Sequence, residues 1–210
     1  MTPLEAAALG AMAWATAGFA VAVAAAWRRG VPGVTAAPAG SPWPGIIYAF
    51  GAGMSPRAKE SASQHPWLYA AGILYHAGIA AAGSTLVITL ADARLPSVAA
   101  RALTLLLLAA VLAGAGLMWR RANSPLLRAI SAPDDYASNL LVDGWLATAA
   151  IALLRPEATP AFLVVTIVLA VYAPLGKIRH CIFFLIARGR FGARLGRRGI
   201  VGPPGAGGHP

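Results

Sequence analysis

The residues in this chain with the most to offer chemically are four histidines, His65, His76, His180 and His209. Two of them, His76 and His180, fall inside long apolar runs, where an ionisable side chain is costly and is a functional candidate by default. Counted from the membrane face they would share, His76 lies nine residues into its run and His180 six residues from the end of its own. At ~1.5 Å per residue of helix their depths differ by only ~5 Å. Two neutral histidines at matching depth on different helices suit axial ligation of haem b. Each gives one ring nitrogen to iron and can donate the other N–H to a protein acceptor. The competing readings are a buried imidazole bonded to a neighbouring helix and a proton-relay residue.

His65 raises the question of a second haem. It precedes His76 by 11 residues, so one continuous helix would carry both on one face ~16 Å apart. Pro66 instead suits a helix start, which would leave His65 as a flanking residue. Small residues accompany both central histidines: Gly72, Ala80 and Gly83 around His76, and Ala173 and Gly176 before His180. They would admit a flat macrocycle, and they would equally serve close helix packing. One haem is the expectation; a second would require a ligand that is not histidine or that a partner supplies. His209 lies in the Gly- and Pro-rich tail 202–210, which reads as disordered, and is given no role.

The elements that must position these residues are helices of membrane length. Apolar runs of about 20 residues, enough to cross ~30 Å of hydrocarbon, occur at roughly 4–27, 67–91, 99–119, 136–154 and 161–186. The expected fold is an all-α integral membrane protein, a five-transmembrane-helix bundle forming one domain over residues 1–201. The start of the fourth run carries Ser131, Pro133 and Asp134, which resemble a helix N-terminus. The first run is preceded by an acid and no lysine or arginine, so it reads as a retained helix, not a cleaved signal. Between the first two runs, 46–50 is apolar but too short to span, and reads as an interfacial or bundle-packed piece of an ordered loop.

Composition agrees with this class. The 210 residues are 58% hydrophobic and 11% charged, with a mean hydropathy of +0.66, too apolar for an ordinary soluble domain. The net charge of +10 comes from clusters beside the apolar runs, which argues for topology signals and against a nucleic-acid partner. Of the lysines and arginines, 14 fall on one side and three on the other. That bias predicts an N-terminus outside and a C-terminus in the cytoplasm, with Trp27, Trp43, Trp67 and Trp119 near the inner interface. The single cysteine, Cys181, leaves no c-type haem attachment motif and no ligand set for an iron–sulfur cluster. No internal repeat supports a transporter of the inverted-repeat kind.

Three charged residues surround the expected haem level. Lys177 and Arg179 sit beside His180, and Asp143 lies in the fourth run. Asp143 can pair with either cation, the cations can hold haem propionates, or Asp143 or Lys177 can handle the proton of a quinol, with Tyr69 and Tyr75 in support.

The run GKIRH at 176–180 with FGARLGRRGIVGPP downstream, HPWLYAAGILYHAG at 65–78, SPRAKES at 55–61 and SAPDDYASNLL at 131–141 together resemble a known family. It is the cytochrome b family of the respiratory nitrate reductase gamma subunit. The likeness is strongest to the branch found with heterodisulfide-reductase-like iron–sulfur proteins, and covers about Ser55 to Pro204. The resemblance implies a five-helix, N-out subunit of the bacterial or archaeal cytoplasmic membrane that binds haem b. It implies electron transfer between the quinone pool and a cytoplasmic iron–sulfur or flavoprotein partner, with no stand-alone catalytic site. It places His76 and His180 on one haem pair and His65 on one ligand of another. Where dihaem relatives have a further histidine beyond the position of His180, this chain has Arg194, Arg197 and Arg198. The rival expectations are a haem-free membrane anchor that recruits a redox subunit and a small transporter with proton-relay histidines.

Overall fold

The apolar runs become helix along almost their whole length. The computed structural model describes residues 1–29, 37–58 and 60–201, apart from the side chains of 60 and 61. Among the described residues every regular element is helical: α1 (Pro3–Arg28), α2 (Pro42–Phe50), α3 (Glu60–Gln64), α4 (Pro66–Leu90), α5 (Ser97–Asn123), α6 (Pro125–Ala129), α7 (Pro133–Leu154), α8 (Thr159–Tyr172) and α9 (His180–Arg197). Four of these, α1, α4, α5 and α7, are long and apolar enough to cross a membrane, and a fifth span arises if the interrupted pair Pro156–Tyr172 and Lys177–Arg197 is counted as one. The tail 202–210, with His209, lies outside the described residues.

Two expectations change here. The fifth run is not one helix over 161–186: α8 stops at Tyr172, a 3₁₀ turn covers Lys177–Arg179, and α9 begins at His180. Pro174 explains the stop, because it lacks an N–H and its ring collides with the carbonyl four residues back. The amides of Leu175 and Gly176 close onto Tyr172 O, each at 2.9 Å. The depth match between His76 and His180 assumed a continuous helix, so it no longer follows from residue counting. The chain divides into two compact units, Met1–Phe19 with Trp67–Ile178, and Ala20–Pro66 with Arg179–Pro210.

The first unit is a helical bundle with an alanine-rich core. Ala8, Ala82, Leu107, Ala110, Leu146, Ala149 and Phe162 are fully enclosed. Close approach of α4 and α5 depends on Gly78, where a Cβ would run into the Ala110 methyl; small residues are the usual means of tight helix contact in lipid. Trp145 stacks on Phe162 at 6.2 Å between centroids and donates its indole N–H to Thr166 Oγ1 at 2.9 Å, joining α7 to α8. In α1, Gly18 leaves room for the ring of Pro174.

The second unit is built on α2 and α9 packed through backbone. A Cβ on Gly192 would come within 2.7 Å of Ile46 Cα and 2.8 Å of Ala49 Cβ, and one on Gly196 within 2.8 Å of Pro42 O. Arg188 closes the far end of α2, donating from Nε to Ala49 O at 2.7 Å and from its guanidinium to Gly53 O at 2.5 Å. Such bonds satisfy carbonyls a helix end leaves without partners. Gly199, at φ +67°, ends α9 in a left-handed residue, with Ile200 N–H on Leu195 O at 3.1 Å.

Candidate functional site

In the first unit the chemistry gathers on α4 and α7. His76 is exposed on α4, and its Nδ1 lies 2.7 Å from Gly72 O, one turn back. A carbonyl only accepts, so Nδ1 carries the proton and Nε2 keeps its lone pair free for a metal. A ligating histidine needs this arrangement, with the second nitrogen anchored so that the ring is fixed in tautomer and angle.

The small residues of α4 divide between two faces. Gly78, Ala81, Ala82 and Thr85 are buried and do the packing. Gly72, His76, Ala80 and Gly83 lie on the opposite face, and a Cβ built on Gly72 or Gly83 meets nothing within 4 Å. The face beside His76 is therefore not consumed by helix contact. The His76 side fits a flat macrocycle held by an axial imidazole.

Behind His76 lies a partly buried polar group of three residues, Tyr75, Asn139 and Asp143. Tyr75 is edge-on to the His76 ring, with centroids 6.3 Å apart and planes at 87°. Its hydroxyl accepts from Asn139 Nδ2 at 2.9 Å and donates to Asn139 O at 3.3 Å. One turn along α7, Asp143 is 8% exposed, and its carboxyl sits beside the Tyr75 side chain with neither oxygen in a well-formed hydrogen bond. Asn139 Oδ1 is likewise buried without one. Gly114 of α5 makes the space, because a Cβ there would strike both the Asp143 carboxyl and the edge of the Tyr75 ring. A desolvated carboxyl without a well-formed hydrogen bond is costly, and three acceptor oxygens stand open on one face of α7.

The remaining candidates fall elsewhere. Lys177 does not pair with Asp143: its ammonium meets Asp135 Oδ2 at 2.6 Å, with Arg121 3.9 Å from Oδ1 of the same carboxylate. Asp135 lies in the first turn of α7, next to the Lys177 turn, and Oδ2 also accepts from Ala132 N–H at 2.8 Å. Ala132, not Ser131, sits at the cap of α7; Ser131 Oγ takes Arg121 at 2.8 Å. Next to the Asp135 pair, Tyr172 contacts the Asp134 carboxylate and lies 2.9 Å from Ser138 Oγ. The runs at 131–141 and 172–177 thus hold each other, a structural role that sequence reading did not assign to either.

His180 is the exposed first residue of α9, in the second unit, and Arg179 precedes it, exposed and with no ion pair among the described residues. Its expected small-residue face is absent. Gly176 and Ala173 are buried in the break, and a Cβ on Gly176 would strike the Tyr172 ring. His65 stands between α3 and α4, outside either helix, so Pro66 does start a new helix and no continuous helix carries His65 and His76 together. Among the described residues no three His, Cys, Asp or Glu side chains gather as a metal-binding group; bis-histidine iron needs only two. The glycine contacts of α2 and α9 also went unread, although Gly45 with Ala49, and Gly192 with Gly196, show the four-residue spacing of small residues that marks close helices.

The chain matches no family model, no curated protein and no solved structure.

Proposed function

We propose that the chain is the haem b-carrying membrane subunit of a respiratory oxidoreductase, set with its N-terminus outside and its C-terminus in the cytoplasm of a bacterial or archaeal membrane. It relays electrons between quinone and a cytoplasmic iron–sulfur or flavoprotein partner. The observation that carries this reading is His76, anchored through Nδ1 to Gly72 O and presenting Nε2 on a face of α4 that packing leaves open. The resemblance to the nitrate reductase gamma subunit family supports it and assigns His180 as the second axial ligand. Bound haem would supply a one-electron relay. On this reading His76 would hold the iron from α4, with His180 the second ligand by the resemblance, and the exposed Arg179 would serve a propionate better than Lys177, which Asp135 already engages.

Oxidation of a quinol releases two electrons and two protons, and the protein must take the protons as the electrons leave. The open carboxyl of Asp143, close behind Tyr75 and His76, is the group for one of them. The same desolvated acid favours a second reading, a proton-relay transporter, which carries no visible chromophore. His76→Ala decides between them. The variant should elute as the native protein does in detergent and lose its b-type haem, as should His180→Ala. Full haem content in His76→Ala would overturn the assignment.

A further inference from the structure

The second unit carries a charge and a surface that electron relay leaves unexplained. Over Ala20–Pro66 and Arg179–Pro210 there are ten lysines and arginines against one acid, Glu60. Arg188 is engaged with α2, but Arg194, Arg197 and Arg198 are exposed along the last turn of α9. On α2, Gly45 and Ala49 face α9. Trp43 and Ile47, spaced four apart, lie on the side away from it and are 67% and 70% exposed, while Phe50, 42% exposed, turns one ring edge toward Gly189 of α9. A nine-residue helix is far too short to span, and a tryptophan, an isoleucine and a phenylalanine standing open together need a cover.

One contact fixes the level of this surface. Trp27 lies in the last turn of α1, a helix of membrane length, and the Arg190 guanidinium of α9 sits 5.0 Å from its ring centroid. Tryptophans at the ends of spanning helices lie at the headgroup level. With α1 in the bilayer, α9 runs at that level at Arg190, and α2 is packed on α9 through Gly45, Gly192 and Gly196.

We propose that α2 and α9 form an interfacial clamp for anionic phospholipid, in which Trp43, Ile47 and Phe50 enter the headgroup–acyl boundary and Arg194, Arg197 and Arg198 bind lipid phosphates. Charge complementarity selects this occupant: the surface is basic with an aromatic and aliphatic face, the composition of helices that lie in an anionic interface. The proposal rests on the membrane reading of α1 and is independent of haem.

The test uses the full chain with Cys181→Ser and one spin-labelled cysteine, at Ile47, at Leu105 on an exposed face of α5, or at Glu157 in the exposed turn after α7. Each is placed in nanodiscs of phosphatidylcholine, with or without phosphatidylglycerol. Collision of the label with oxygen and with a water-soluble nickel chelate is measured. With phosphatidylglycerol present, the Ile47 label should favour oxygen over nickel, while Glu157 stays open to nickel. Arg194→Gln/Arg197→Gln/Arg198→Gln should weaken the phosphatidylglycerol-dependent protection, by about fivefold per arginine. The Leu105 label should keep its bilayer signal in that variant, which shows that the bundle is intact. The proposal is overturned if Ile47 is as open to nickel as Glu157, if it is protected without regard to phosphatidylglycerol or the arginines, or if only an added soluble protein covers it. A Leu105 label open to nickel in the native sequence would instead sink the membrane reading beneath it.

Discussion

At the scale of single residues, His76 and Asp143 lie in one cluster yet differ in what anchors them. His76 has a fixed tautomer through Gly72 O, whereas neither oxygen of Asp143 holds a well-formed hydrogen bond, the Tyr75 hydroxyl beside it being turned to Asn139. A buried polar group without partners subtracts from stability, so its removal should not weaken the fold. Asp143→Asn removes a desolvated carboxyl from beside the Tyr75 hydroxyl and brings an amide N–H one turn from the open Asn139 Oδ1. Its thermal midpoint in detergent should hold or rise, while quinol-driven haem reduction slows by about 10²-fold, the usual contribution of a positioned proton acceptor. A lower midpoint with an unchanged rate would make Asp143 a packing residue. Sequence alone gave Asp143 and Lys177 as charges at a similar level and so offered them as a pair. The choice of Asp135 by Lys177 depends on the helix break that turns residues 173–179 toward the start of α7, and no residue count contains that turn.

At the scale of elements, hydropathy located α1, α4, α5 and α7 to within a few residues, because about 20 apolar residues bounded by charge or proline have few other solutions. It failed at 161–186 because an apolar average hides Pro174 and Gly176, whose effect on the backbone is local. It also passed over α9 as an element in its own right, although glycines at 192 and 196 stand four apart in it. That spacing makes a prediction with opposite signs at two neighbouring sites. Gly192→Ala drives a methyl into Ile46 and Ala49 of α2 and should cost about 1–3 kcal/mol, as other overpacked contacts do. Gly189→Ala meets only Phe50 Cε2, at 3.9 Å, and should stabilise α9 by up to about 1 kcal/mol through helix propensity alone. Thermal unfolding of both variants in one detergent checks the pair. Equal effects would mean that α2 does not rest on α9 as described.

At the scale of the whole molecule, the basic excess has more than one use. Arg121 and Lys177 hold Asp135, Arg188 closes α2, and Arg190 lies over Trp27. The all-helical architecture, with four to five apolar helices of spanning length, was legible from composition and apolar spacing; the division into two units was not, because it follows from the break before His180 and from glycine contacts between α2 and α9. On the proposed reading, arginines at 194, 197 and 198 where a further histidine would stand weigh toward a single haem. The direct measurement is the reduced-minus-oxidised optical spectrum of the purified full chain, with haem quantified per polypeptide as its pyridine complex. The full chain should show b-type Soret and alpha bands at one haem per chain. A spectrum without those bands would contradict haem binding altogether, and a value near two would contradict the single His76–His180 site.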